Sequence, residues 1–370
     1  MFHIYITLAY IIPNIYVFFR IKDLFIGKAY RLLYTLIYLL IASVYPIVER
    51  FSEENLNSFV QILSLISGYV LSFFLYLFLS VLLFDLLLLF NRWVRIISPE
   101  TKKSYSFRLY MLTAFIVLSI AVVLAGVINL NSIRVSKYMI EIPRKSSKID
   151  HLRVAFVADI HLQQNTHIQF IEQFVRKINA LKPDLMLYVG DIVEGDNENE
   201  TTKTIESVMR KIVTKYGTFG VTGNHEFYGG QEQGNFFQKA GITFLCDTIV
   251  NIDNSFYLAG RYDQHFRQRK IIKEILDVVT LDLPIILMDH RPTEIQEVSN
   301  TSVDVQLSGH THNGQMFPIN LITNRIYELS WGYKKIRNTH FFVTSGLRLW
   351  GPQVKTAGKS EIMLIDIYFE

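Results

Sequence analysis

Cysteine is almost missing from this chain: Cys246 is the only one among 370 residues, so an intrachain disulfide and a thiolate zinc site are both excluded. That scarcity fits the cytoplasm, and fits equally a disulfide-free domain outside it. Charge is scarce in one part only. Residues 1–130 carry 16 charged side chains, 10 basic and 6 acidic, whereas residues 131–370 carry the remaining 54, 27 of each sign. The first part is about 12% charged and the second about 22%, a contrast of the kind that separates membrane from soluble composition. All of the net +4 lies in the apolar part. The rest is neutral and lacks the basic field that a phosphate backbone would need, so no nucleic-acid partner is expected. A single soluble globule and a disordered chain are excluded too. Internal repeats and low-complexity tracts are also lacking; the nearest is the polar stretch Glu194–Thr202.

What is present first is apolar length. Four runs, Phe2–Phe19, Leu32–Val48, Ile62–Phe90 and Leu109–Leu130, read as membrane spans, because a hydrocarbon core of ~30 Å takes roughly 20 helical residues. Buried core helices are the alternative for the shorter runs. The first run lacks the basic start and small-residue cleavage site of a signal peptide, and reads as an anchor. Arg20, Lys22, Lys28 and Arg31 fill the first loop, and Arg92, Arg95, Lys102, Lys103 and Arg108 the third. The second has Arg50 alone among Glu49, Glu53 and Glu54. Basic loops stay in the cytoplasm, which places both termini and the soluble part outside a cell membrane. Arg134, Lys137, Arg144, Lys145 and Lys148 after the last span oppose that orientation. Asp85, the one acid inside a span, reads as structural rather than as part of an ion path. The expected organisation is a transmembrane helical module over residues 1–130, a juxtamembrane linker over 131–149 and a folded domain over 150–370.

From Asp150 onward, short apolar runs alternate with polar helical segments. Leu152–Ala158, Leu185–Val189, Thr218–Thr222, Ile285–Met288 and Val303–Leu307 read as buried strands. Ile242–Leu245, Ser255–Ala259, His340–Thr344 and Ile362–Tyr368 read as further strands. An amphipathic helix carries Ile168, Ile171, Phe174, Val175, Ile178 and Leu181 on one face, and Lys182-Pro183-Asp184 ends it. The fold class is α/β, a layered domain around a central sheet core.

The polar residues then fall in a pattern. Nine of the ten histidines lie after residue 150, and five of them directly follow expected strands. The strand ends carry Asp159-Ile-His161, Gly190-Asp191, Gly223-Asn224-His225-Glu226, Asp289-His290 and Gly309-His310-Thr311-His312. Loops at strand ends gather distant residues into one site. Imidazole with carboxylate suits Mn, Fe, Zn or Co better than Ca or Mg. The glycines at 190, 223 and 309 are expected to let the backbone turn tightly before the ligands. The ligand supply exceeds what one ion needs, and two ions sharing a carboxylate suit displacement at phosphorus.

In this series the chain resembles the calcineurin-like metallophosphoesterases, whose blocks run D-x-H, G-D-x-x-[D/E], G-N-H-[D/E], a lone His and G-H-x-H. All are present in order, with Glu194 completing the second, and the resemblance covers roughly residues 150–370. Gly309–Gln315 and Ser345–Pro352 resemble the membrane-associated YaeI/YkuE-type branch, except that Arg348 stands where that branch commonly has Gly. The resemblance implies a layered αββα domain and two divalent transition-metal ions. Asp159, His161 and His312 would bind one ion and Asn224, His290 and His310 the other, with Asp191 bridging. The implied nucleophile is a hydroxide between the ions. His225 would serve the leaving oxygen, and Glu226 would orient His225 or a ligand. Arg348 is a candidate phosphate contact. His151, His167, His265 and His340 are expected at the surface or in packing. Trp331, Tyr333 and Trp350 are expected in core or interfacial packing, with the lining of a substrate mouth as the alternative. The function expected is a membrane-anchored hydrolase of phosphodiester or pyrophosphate bonds in a lipid-linked substrate. The alternative is a membrane sensor or transport-associated module whose domain binds metal without catalysis.

Overall fold

The structure, a computed structural model, describes residues 2–52, 58–163, 166–194, 200–228, 234–280 and 282–370. Glu53, Glu54 and residues 195–199 of the polar stretch lie outside the described residues. The chain divides into two compact units, Met1–Ile128 with Gly351–Thr356, and Asn129–Trp350 with Ala357–Glu370.

The first unit is helical: α1 (Phe2–Leu24), α2 (Arg31–Ala42), α3 (Val44–Ser52), α4 (Ser58–Val94), α5 (Pro99–Lys103) and α6 (Tyr105–Asn131). Among the described residues three helical stretches are long and apolar enough to cross a membrane: Lys28–Arg50, Ile62–Val94 and Tyr105–Asn131. The expected first span lies in α1, which is not among them. The first residues of that run, up to residue 7, fall outside what the structure describes of its side chains, so the measure finds three of the four expected spans among the described residues. Tyr10, Val17, Ile21, Tyr38, Phe74, Val81 and Phe84 form the inner packing of this unit. Asp85 accepts from Arg20 Nε at 2.6 Å and from the Tyr16 hydroxyl, so its role here is an internal ion pair. Gly351–Thr356 packs within the same unit; Lys355 N–H donates to Gly126 O at 3.2 Å, and a Cβ on Gly126 would lie 2.6 Å from Val354.

The second unit runs β1 (Arg134–Ile142), β2 (His151–Val157), α7 (Ile168–Leu181), β3 (Leu185–Val189), α8 (Glu200–Met209), β4 (Thr218–Val221), α9 (Asn224–Tyr228), α10 (Gly234–Lys239) and β5 (Thr243–Phe244). It continues with β6 (Thr248–Ile252), β7 (Phe256–Gly260), α11 (Ile272–Leu276), β8 (Ile285–Met288), α12 (Ile295–Val298) and β9 (Val305–Ser308). It closes with α13 (Ile319–Ile326), β10 (Gly332–Ile336), β11 (Thr339–Val343) and β12 (Glu361–Phe369). One sheet has the order β1-β12-β2-β3-β4-β5, the other β10-β11-β9-β8-β7-β6.

Strand alternation explains the layers. Leu152, Val154 and Phe156 of β2 and Leu185, Leu187 and Val189 of β3 face Leu258, Ile286, Val305 and Phe342 of the other sheet. Their neighbours Ala155, Val157, Met186 and Tyr188 face outward onto Phe170, Ile171, Phe174 and Ile178 of α7. On the far side Tyr257, Ile285 and Leu287 meet Ile272 and Ile275 of α11 and Ile295 and Val298 of α12. Both faces of each central strand are covered, which is why those strands read as continuous apolar runs. The result is an αββα stack.

Residues 131–149, expected as a linker, instead hold β1, which pairs in parallel with β12 from Arg134↔Glu361 to Ile142↔Phe369. The strands that sequence reading misses, β1, β6 and β10, all lie at sheet edges. An edge strand buries one neighbour fewer and keeps charged positions such as Lys137 and Lys334, so its apolar signal is diluted.

Candidate metal centre

β2, β3 and β4 are parallel in one sheet, and β7, β8 and β9 in the other. The residues after β2, β3, β4, β8 and β9 meet in three overlapping groups, Asp159–His161–His312, His161–Asp191–His225 and Asp191–His290–His310. Within each, the candidate ligand atoms lie within 4.8 Å of one another. In the first group, His161 Nε2 stands 3.2 Å from His312 Nε2, and Asp159 Oδ1 lies 3.4 Å from His312 Nε2 and 3.9 Å from His161 Nε2. In the third, His290 Nε2 lies 3.1 Å from Asp191 Oδ2, and the rings of His290 and His310 are 5.2 Å apart.

Five of these residues hold the left-handed backbone conformation: Asp159, His161, Asp191, His310 and His312, with φ between 48° and 70°. That region is costly for any residue with a Cβ, and such strain gathers where function fixes the geometry. It turns the side chains of Asp159 and His161, and of His310 and His312, toward a common centre. Of the three glycines expected to supply the turns, only Gly190 has a positive φ, 82°. Gly223 and Gly309 are needed for room instead, because a Cβ would lie 2.1 Å from Asp191 Oδ1 and 2.4 Å from Asp159 Oδ2 respectively.

The donor chemistry fits metal ions. His290 Nδ1–H donates to Val189 O at 2.8 Å, which leaves Nε2 with a lone pair; that atom is buried and makes no hydrogen bond. Asn224 Oδ1 is likewise buried without a hydrogen bond. His161 Nδ1 contacts Glu194 Oε1 at 2.6 Å, so its Nε2 also presents a lone pair. His161 Nε2 and His312 Nε2 stand 3.2 Å apart, close to the roughly 3.3 Å between ligands around a tetrahedral ion with ~2.0–2.1 Å bonds. A second partner that orients a ligand histidine through its other nitrogen is a recurrent feature of metal sites.

The two glutamates divide their work in a way the sequence does not reveal. Glu226 was the expected partner of His225 or of a ligand. It is buried and accepts four backbone N–H groups, from Asp191 (2.9 Å), Ile192 (2.5 Å), Val193 (3.0 Å) and Gly223 (2.7 Å). It therefore fixes the loop that carries Asp191, and orienting His225 falls to Glu194, whose Oε1 lies 2.9 Å from His225 Nδ1. Burial alone would raise the Glu194 pKa, but its bonds to His161 and His225 outweigh burial and hold it at about 2. For His225, burial acts to lower the pKa, and the bond to Glu194 with nearby carboxylates outweighs it and raises the pKa.

Around this centre stand residues that match no sequence block. Trp350, expected in packing, has its ring 6.0 Å from that of His225. Arg348 N–H donates to Asp159 O at 2.9 Å, and its guanidinium carbon lies 4.6 Å from the centre of the Phe170 ring. His265 joins Asp263 and Arg291, with Nδ1 2.8 Å from each. Asp289 is held by Arg261 at 3.0 Å and Arg269 at 2.6 Å. The signals for this network in the sequence are Asp289 and Arg291, which flank His290.

Comparison with known proteins agrees with the site. The calcineurin-like phosphoesterase family profile matches residues 152–314. An uncharacterised metallophosphoesterase of Campylobacter jejuni is 27% identical over 379 residues, covering 99% of this chain and 98% of its own. One of Aquifex aeolicus is 30% identical over 258 residues, 67% of this chain and 97% of its own. A transmembrane protein with metallophosphoesterase domain from Danio rerio is 26% identical over 283 residues, 72% of this chain and 64% of its own. With the strand-end carboxylates and histidines gathered as described, the chain belongs to the calcineurin-like metallophosphoesterases and is a metal-dependent phosphoesterase that carries helices long and apolar enough to cross a membrane.

Proposed function

We propose that the protein is a membrane-anchored phosphoesterase that uses two divalent ions to hydrolyse phosphodiester or pyrophosphate bonds in a lipid-linked substrate. The observation that carries this reading is the chain of overlapping groups, in which Asp191 and His161 each belong to two. Asp159, His161 and His312 would hold one ion and Asn224, His290 and His310 the other, with Asp191 available to both. Mn, Fe, Zn and Co all suit this donor set. Bound ions supply Lewis acidity to the phosphoryl oxygens and lower the pKa of water.

The chain's own residues do the rest. Glu194 stays anionic, favours the protonated form of His225 and orients its ring. His225 gives a proton or a charge-assisted hydrogen bond to the leaving oxygen. Arg348 and Trp350 line the mouth, Arg348 as a phosphate contact. A site held at a membrane by its own chain meets lipid-linked phosphoesters at high effective concentration.

The basic loop between α4 and α6 favours the cytoplasm, and one span separates it from the second unit. The phosphoesterase unit is thus extracytoplasmic whether or not α1 crosses the membrane. Two of the five opposing cations pair within the fold, Arg144 with Asp150 at 2.7 Å and Lys145 with Asp304 at 2.7 Å.

The test is hydrolysis of a chromogenic phosphodiester and its monoester by detergent-purified full-length protein with Mn²⁺. Asp191→Ala should lose at least about 10²-fold, the scale of removing one electrostatic stabiliser from a dry site, together with bound metal. His225→Ala should keep the metal and lose a similar factor. Full activity in Asp191→Ala would sink the two-ion reading. A reporter fused after Glu370 that is active only in the cytoplasm would sink the orientation.

A further inference from the structure

Helix α13 is built inside out for a protein in water. Its half-buried positions are the polar Asn320 and Thr323, while Leu321, Ile322 and Ile326 are 58%, 59% and 68% exposed. Phe317 and Ile319 just before them are exposed as well. On a helical wheel Ile319, Leu321, Ile322, Arg325 and Ile326 share one side. A surface helix of a soluble unit turns such a stripe inward, as α7 does with Ile171, Phe174 and Ile178. Elsewhere in the phosphoesterase unit, among the described residues, exposed large hydrophobic residues such as Met139, Val213 and Val278 stand far apart along the sequence. A contiguous apolar patch marks an interaction surface.

We infer that α13 lies in the lipid–water interface of the bilayer and docks the phosphoesterase unit there. The occupant follows from two observations. The same chain carries three helices of membrane-crossing length, so a bilayer is always within reach. From Asn313 to His340 the charged residues are Arg325, Lys334, Lys335 and Arg337 against Glu328 alone, a balance that complements anionic headgroups. Apolar residues on one side with cations beside them are the composition of an interfacial helix.

The placement bears on the site. α13 follows directly on the turn His312–Gly314 and packs so closely that a Cβ on Gly314 would lie 2.5 Å from Asn320 N. At its other end, the Tyr327 ring stands 6.4 Å from that of His310. The helix is thus tied at both ends to candidate metal ligands, and its docking brings those ligands to headgroup level. This docking rests on exposure and charge, and is independent of whether the phosphoester is lipid-linked.

The test uses full-length protein carrying Cys246→Ser and Ile322→Cys, nitroxide-labelled, in vesicles of phosphatidylethanolamine with a minority of phosphatidylglycerol. Val213→Cys, on an exposed site of the same unit, is the reference, and Leu321→Cys is a second probe should the first variant misfold. The ratio of oxygen to aqueous nickel-chelate collisions at 322 should exceed that at 213 several-fold. Equal ratios at 213, 321 and 322 would overturn the inference. So would shielding from both reagents with dipolar broadening between labels, which would assign the patch to a second copy of the chain.

Discussion

In the helical unit Leu36 and Leu40 are 59% and 71% exposed, while Asp85 meets Arg20 and Tyr16 inside. In the phosphoesterase unit Leu187 and Phe174 are wholly buried, and the buried charges gather at strand ends. The same residue types thus take opposite places, and the difference is one of solvent. Hydrocarbon accepts apolar side chains outward and requires polar groups to find partners within the protein. Water drives apolar side chains together, so a cluster of buried carboxylates and histidines persists there only where specific partners hold it. Helix α13 is the part of the second unit that follows the rule of the first.

The largest expected effect falls on the buried charges of the phosphoesterase unit. Glu226→Ala would strip four backbone N–H groups of their acceptor, each worth about 1–3 kcal/mol when left buried and unpaired. Thermal unfolding of the detergent-purified protein should show a loss of about 4 kcal/mol or more, with metal binding lost too. A variant as stable as the parent would mean that water replaces the carboxylate, and the contrast between the units would weaken.

Next comes apolar burial. Phe174→Ala should cost about 3–5 kcal/mol, since it empties a close-packed position between α7 and the sheet. Leu36→Ala should change stability by no more than about 0.5 kcal/mol in detergent, as expected for an exposed site. Equal costs would show that Leu36 has a protein partner and that its helix face is not lipid-facing.

The smallest effect distinguishes functional from structural charge. Glu194→Gln should lower phosphodiesterase activity about 10–100-fold, the usual scale for a group that orients a metal-ligating histidine, with little change in melting temperature. Asp85→Asn keeps a hydrogen-bond acceptor for Arg20 and should leave that activity unchanged. A comparable loss in Asp85→Asn would give the helical unit a part in catalysis.

Legibility followed burial. β3 and β8 are read to the residue because each is short, apolar and bounded by a turn signal or a ligand, and α7 is read by its apolar face and its stop signal. β1, β6 and β10 are missed because edge strands carry mixed polarity. At the site the carboxylates and histidines picked out by type and order come together in the structure, but the device that aims them is not legible in the sequence. Glycine was the expected source of turning, yet Asp159, His161, Asp191, His310 and His312 themselves take the left-handed conformation. Glu194, for which the sequence offers no role, orients His225, and Glu226 holds the Asp191 loop instead, because a carboxylate's partner depends on which loop lies beside it, and that proximity is not encoded in spacing.

By itself the sequence determined the division between apolar and charged parts, the alternation that builds a covered sheet, and the order of strand-end residues that marks a metallophosphoesterase. These are local or periodic properties, carried by residue type and spacing along the chain. Only tertiary structure decided that residues 131–149 pair with the last strand, that Gly223 and Gly309 leave room for carboxylates, and that α13 turns its apolar side outward. Each of these depends on two segments distant in sequence becoming neighbours, and the free energy of that meeting belongs to the pair rather than to either segment.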